Sequence, residues 1–300
     1  MLLSAFIDRG IEALAPLYPQ PEARQMVFML CEELLGIKNY THIVNPEYEL
    51  SAQDSDLLLG KLDYLSRGMP LQYALGWADF FSLRFKVTPA VLIPRPETEL
   101  LVKEALEQAG RISRMRAAYG KKAEKVKVLD LCTGSGCIAW SVALNLPGAE
   151  VVATDISADA LDVARGQDFA GELKARQATA PEFVLSDVLD TEQDFPYGPF
   201  DIILSNPPYI LPSEKEQMRP NVLDYEPHTA LFAPQEDPML FYRAIARWSR
   251  RFLSPEGKGL TEINEQLAGP VCEVFRDAGY PNTEVIKDFF YKNRFVLYYK

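Results

Sequence analysis

The sequence is poor in histidine, with only His42 and His228 in 300 residues, and this argues against a histidine-based metal site; we expect no metal. Its four cysteines, Cys31, Cys132, Cys137 and Cys272, form no CxxC pair and no disulfide framework, which suits a reducing compartment. Long apolar runs are missing too: none approaches the ~18 residues of a membrane span. Residues 1–10 contain Asp8 and Arg9 and lack the form of a secretory signal, so we expect a cytoplasmic protein without a membrane partner. Positive charge is outnumbered, 31 Lys and Arg against 42 Asp and Glu, and the net charge of −11 argues against affinity built by blanketing phosphates. Nucleic acid is therefore disfavoured as a substrate. One local basic cluster, Arg111, Arg114, Arg116, Lys121, Lys122, Lys125 and Lys127, reads as a solvated helix end and loop.

What is present belongs to a globular chain: 48% apolar and 24% charged residues, with no internal repeat, over a length that suits two domains. The first part reads as helical. Pro21-Glu22-Ala23 can start a helix whose face carries Met26, Val27, Leu30 and Leu34, with Gly36 to end it. Ser51 precedes a second helix with Leu58, Leu62 and Leu65 at helical spacing, stopped by Gly68-Met69-Pro70. Nothing in this bundle carries catalytic chemistry. From Phe80 the period shifts towards two, with Phe81, Leu83, Phe85 and Val87 alternating, and a hairpin is expected there. The boundaries that result are a helical domain at 1–79, a β-hairpin linker at 80–95 and an α/β domain at 96–300.

In that last region strands are expected at 126–131, 151–155, 182–186, 201–205 and 259–262, with amphipathic segments such as 137–146 and 158–164 between them. Such alternation predicts a parallel sheet with helices on both faces. Segments 283–287 and 295–299 follow without an intervening helix and read as a closing antiparallel pair, for seven strands in all.

Two stretches carry chemistry. Asp130-Leu131-Cys132-Thr133-Gly134-Ser135-Gly136 ends a strand and opens a helix; Gly134 and Gly136 let backbone approach a ligand, and the helix N-terminus offers free N–H groups. Asp155 ends the next strand 19 residues after Gly136, where a carboxylate can accept ribose hydroxyls, with Ile156 beside it; Asp187 and Val188 follow the third strand, as a partner for an adenine edge and an apolar wall. A dinucleotide or S-adenosylmethionine suits such a loop. Asp130, which can bind a methionine amino group or order the loop, favours the methyl donor. The second stretch, Ser205-Asn206-Pro207-Pro208-Tyr209, stops a buried strand. Its prolines carry no amide hydrogen, so the turn is a stiff array of acceptors. The Asn206 oxygen and the Pro207 carbonyl can each accept a hydrogen from a planar nitrogen, Tyr209 can stack on the planar group, and the nitrogen is then aimed at the donor methyl. Arg95, held between two prolines, is either a salt bridge or part of the site.

These residues resemble the protein-glutamine N5-methyltransferases that modify peptide-chain release factors. The resemblance spans most of the chain and also rests on Pro70-Leu71-Gln72-Tyr73, on Pro94-Arg95-Pro96-Glu97-Thr98-Glu99 and on Tyr225-Glu226-Pro227. It implies a Rossmann-like seven-stranded fold, methyl transfer from S-adenosylmethionine to the glutamine of a Gly-Gly-Gln loop, release factors as partners, and a helical domain that helps to hold the partner; we expect a monomer. It maps cofactor binding onto Cys132 to Gly136 and Asp155, and the substrate loop onto Asn206, Pro207, Pro208 and Tyr209, with Arg95 and Glu226 beside it. Three positions depart from the pattern: Cys132, Asn264 and Tyr291 stand where glycine is common, and the last two are expected to touch the sheet's final strands rather than the chemistry. The alternatives are a glutamine methyltransferase acting on a ribosomal protein, a nucleic-acid amino-methyltransferase, and a catalytically silent cofactor-binding module.

Overall fold

The computed structural model describes residues 1–119 and 125–300, and Lys121 and Lys122 of the basic cluster lie outside the described residues. The chain divides into two compact units, one of residues 1–77 with 218–225, the other of residues 78–217 with 226–300.

The first unit is built on helices Leu3–Leu14, Gln20–Leu35 and Ala52–Ser66, with shorter turns at Thr41–Val44 and Leu71–Leu75. The expected starts and stops are present. Ser51 caps its helix by accepting the Asp54 amide at 3.1 Å, and Gly36 ends the preceding one at φ 70°. Val27, Leu30, Leu58 and Leu65 are buried together with Phe6 and Leu14 of the first helix. The segment 218–225, distant in sequence, joins this unit through Tyr225, whose hydroxyl donates to the Arg67 carbonyl at 2.7 Å.

The second unit begins, at residue 78, within a hairpin of β1 (Trp77–Phe80) and β2 (Leu83–Lys86). Phe81 forms its turn rather than the expected strand: Phe81 and Ser82 take φ 50° and 60°, as a tight two-residue hairpin requires. Neither is the usual turn residue, and the Glu99 carboxylate holds the bend by accepting the Phe81 amide at 2.9 Å. Residues 90–93 form no strand. Phe80, Leu83 and Phe85 enter the core beside the helix Glu99–Ala118.

The remaining strands are β3 (Lys127–Leu131), β4 (Glu150–Asp155), β5 (Glu182–Leu185), β6 (Phe200–Ser205), β7 (Leu253–Glu262), β8 (Asn282–Lys287) and β9 (Asn293–Tyr299). They form one seven-stranded sheet in the order β5-β4-β3-β6-β7-β9-β8. The first five run parallel, and β9 pairs antiparallel with both β7 and β8. Alternate residues feed opposite faces. Val128, Ile202 and Leu204 pack under helices Glu99–Ala118 and Cys137–Asn145, whereas Leu129, Leu131 and Ile203 pack under Leu240–Phe252 and Ala268–Asp277. The basic cluster is largely paired: Arg116 binds the buried Asp201 of β6, and Lys125 and Lys127 lie 3.3 and 3.7 Å from Glu150.

Gly259 lies opposite Tyr298 in the β7–β9 ladder, with no space for a side chain. A Cβ there would lie 1.9 Å from Tyr298 Cζ, and that ring is fixed by stacking on Phe275 at 3.7 Å and by a 2.8 Å hydrogen bond with Ser249. Gly259→Ala is expected to lower stability by about 1–3 kcal/mol through overpacking. Urea denaturation checks this; an unchanged midpoint would show that Tyr298 has room to move.

Candidate active site

Strand order reverses at β3. The chain runs outward through β4 and β5, then returns to add β6 and β7 on the other side. In an open parallel sheet a crevice forms outside the strand ends at such a point. Leu131 and Ser205, the last residues of β3 and β6, are register partners, and the Ser205 hydroxyl donates to the Leu131 carbonyl at 2.9 Å. The two chemistry-bearing stretches therefore start side by side. A cavity of about 520 Å³ opens there, within the size range of small-molecule sites.

The loop after β3 is wound tightly. Cys132, Gly134 and Gly136 all take positive φ, at 62°, 56° and 78°. A side chain at Gly134 would meet nothing within 4 Å, so this residue opens onto the cavity. Gly136 serves packing instead: a Cβ there would come within 3.0 Å of Ala164 and 3.1 Å of Trp140, and the residue does not line the cavity. Asp130 does not line it either. Fully buried, it accepts the Thr133 hydroxyl at 2.6 Å, and burial pushes its pKa up to about 7 against the pull of Thr133 and the Ala139 amide. Of the two roles expected for Asp130, the geometry matches ordering of the loop. Asp155 lines the cavity and splits its oxygens between the Gly134 amide at 2.8 Å and the Ser157 amide at 2.9 Å. Burial raises its pKa, and those amides oppose the rise. A carboxylate has about four acceptor positions, so Asp155 retains capacity for hydroxyl donors. Cys132, Thr133, Ser135, Ile156, Asp187 and Val188 complete this wall.

The Asn206 turn borders the same cavity. Asn206 and Pro208 line the cavity, whereas Pro207 and Tyr209 do not. The Tyr209 ring packs against the core under Leu240–Phe252, and its hydroxyl donates to Glu262 at 3.0 Å. This anchors the turn from behind rather than offering a stacking face to the cavity. Glu262 ends β7 and is 1% exposed; its other oxygen accepts the Thr98 hydroxyl at 2.8 Å. Burial pushes the Glu262 carboxyl up to about 7, while Thr98, Tyr209 and the Arg294 charge draw it down. Thr98 lines the cavity and accepts the Asn206 side-chain amide at 3.3 Å.

Arg95 lines the cavity and is paired with the buried Glu226 at 2.6 Å; Glu226, which does not line it, also accepts the Ile93 amide at 3.2 Å. Asn264 corrects an expectation. Its amide donates to the Tyr209 carbonyl at 3.4 Å and to Glu214 at 2.8 Å, so it bears on the proposed substrate loop and not merely on the closing strands. Sequence reasoning assigned no function to Thr98 or Glu262. The only signal for Thr98 was its place in the stretch 94–99, and Glu262 carried none, because its partners lie 164 and 53 residues away.

Comparison with known proteins fits this geometry. Residues 113–223 match the family described as methyltransferase small domain. The catalytic domain of hMettl16, in complex with MAT2A 3′UTR hairpin 6, superposes with a TM-score of 0.51 at 13% identity, covering 83% of this chain and 82% of that one, a likeness of fold alone. The release factor glutamine methyltransferase of Flavobacterium psychrophilum is 35% identical over 300 residues, 99% of this chain and 98% of its own. That of Bacteroides thetaiotaomicron is 38% identical over 292 residues, 97% of each chain. With the loop, the turn and the sheet order all in place, the chain belongs to the release factor glutamine methyltransferase family.

Proposed function

We propose that this protein transfers a methyl group from S-adenosylmethionine to the side-chain amide nitrogen of the glutamine in the Gly-Gly-Gln motif of peptide chain release factors, in the cytoplasm. The observation that carries the reading is the register of Leu131 with Ser205, which starts the glycine-containing loop and the acceptor-rich turn side by side at one cavity. The names of the relatives support the substrate class.

The residues present fit the methyl donor. Gly134 leaves an open cradle, Asp155 has acceptor capacity for ribose hydroxyls, and Asp187 and Val188, which line the same cavity, would offer an adenine a polar partner and an apolar wall. When bound, the cofactor supplies an electrophilic methyl group on a sulfonium centre. Asn206 Oδ1, on the cavity wall, accepts a hydrogen of the incoming amide nitrogen and orients it. A delocalised amide lone pair is a weak nucleophile, so alignment and stabilisation of the growing positive charge on nitrogen supply the acceleration. No strong base is required: as the N–C bond forms, the donor's S–C bond would break with its electron pair returning to sulfur, leaving S-adenosylhomocysteine, and the now acidic nitrogen gives its proton to water. Tyr209 contributes by fixing the turn, and Arg95 with Glu226 by bracing the cavity rim.

The reading is tested with labelled S-adenosylmethionine offered to a purified release factor, the same factor with its Gly-Gly-Gln glutamine replaced, a ribosomal protein and DNA. Label is expected on the release factor and lost with the glutamine; label on DNA alone would overturn the proposal. Asn206→Ala is expected to abolish turnover with the cofactor dissociation constant changed by less than about threefold, since only one lining contact of many is lost. Asp155→Ala should instead weaken cofactor binding roughly tenfold or more, the scale of a hydrogen bond to a charged group, as calorimetric titration will show.

A further inference from the structure

A hydroxyl has one hydrogen, and where Thr98 spends it decides which end of the Asn206 amide faces the cavity. Glu262 is buried and needs donors. Tyr209 supplies one to its first oxygen at 3.0 Å, and Thr98 supplies one to its second at 2.8 Å. While Glu262 is ionised and takes that hydrogen, Thr98 Oγ1 is left only with lone pairs, and Asn206 Nδ2 donates to them at 3.3 Å. Were the Asn206 amide turned over, its oxygen would face the Thr98 oxygen with no hydrogen between them. Two acceptors in contact repel, and the half-buried pair would lose a hydrogen bond.

We propose that Thr98 and Glu262 are positioning residues that fix the polarity of the Asn206 amide, holding Oδ1 towards the cavity as an acceptor and so selecting the nitrogen end of the incoming side-chain amide over its oxygen end. The inference rests on the reading of Asn206 as the clamp of the reacting nitrogen. The two ends of a carboxamide are nearly equal in size, so shape alone discriminates poorly between them; an acceptor fixed at this point pairs with the –NH2 end and opposes the carbonyl end. A donor in the same place would invert the choice and bring oxygen to the methyl group. Glu262 thus acts on the substrate through Thr98 and Asn206 without touching it.

The test is a Thr98 series in which kcat, the KM for the release factor and the cofactor dissociation constant are each measured. Thr98→Val keeps the shape and removes the hydroxyl; Thr98→Ala removes it with less bulk, so that a folding defect in one variant leaves the other readable. Both are expected to lower kcat about tenfold to a hundredfold, the scale of a hydrogen bond to a developing charge, with the cofactor constant and KM within about threefold of wild type. Thr98→Ser, which retains the hydroxyl, should recover most of the lost kcat. A structural role for Thr98 predicts a different pattern, with melting temperature and all constants moving together and no rescue by serine. Full kcat in both Thr98→Val and Thr98→Ala, or a serine variant as slow as valine, would overturn the inference. Wild-type protein that leaves release factor glutamine unmodified would overturn the underlying reading, whereas a fast Thr98→Val beside a dead Asn206→Ala would remove the polarity argument alone.

Discussion

The parallel pairing of β3 with β6 is the constraint on which the rest of the second unit depends. Chain order would place β6 beside β5; topology carries it back across the sheet, so that Val128 meets Ile202 and Leu131 meets Ser205. Both strands are buried on both faces, and each face is closely packed, so a slip of one residue would send Ile203 into the packing that fits Ile202. At the other end of the pair, Asp201 accepts the Lys127 amide at 3.0 Å and holds Arg116, pinning β6 to the start of β3. The Asn206 turn has no freedom to stand elsewhere once these contacts are made.

Behind the turn the protein accepts a cost. A buried carboxylate is unfavourable by itself, and the raised pKa of Glu262 records it. Hydrogen bonds from Thr98 and Tyr209 offset part of that penalty, and their geometry joins three segments: the 94–99 stretch, the turn, and the end of β7. An apolar residue at this position would remove the desolvation cost and with it the directionality. The network is worth retaining because it is oriented, and orientation is what a reacting planar nitrogen needs.

The strands and principal helices were legible because their patterns are local. Apolar runs mark β3, β4 and β6; Ser51 and Gly36 mark helix ends; the loop after β3 shows its glycines openly. Residues that act over long sequence distances were not legible. Glu262 reads as the last residue of a strand, and nothing near it in the chain announces Thr98. The Phe81-Ser82 turn was hidden for a related reason: its backbone is that of an Asn-Gly turn, but its stability is borrowed from Glu99, 18 residues later. Segment 218–225 groups with the helices of residues 1–77 through contacts such as the Tyr225 hydroxyl on Arg67, a connection no periodicity encodes.

The three positions expected, from the resemblance, to hold glycine separate into two physical cases. Cys132 at φ 62° and Tyr291 at φ 61° occupy the left-handed region, so glycine there relieves a backbone strain of roughly 1–2 kcal/mol that this chain instead carries. Both are held by their surroundings. Thr133 donates its amide to the Thr154 carbonyl at 2.9 Å immediately after Cys132, and buried Asp288 ties the turn around Tyr291 by accepting the Phe290 and Lys292 amides at 2.8 and 3.0 Å. Asn264 is different in kind, because what it adds is a donor. Its amide reaches the Tyr209 carbonyl, so the backbone on one side of the turn and the Tyr209 hydroxyl on the other are both fastened to the end of β7, by Asn264 and by Glu262. A glycine could not make that bond. The departure that looked remote from the chemistry in sequence is the one that braces the acceptor turn.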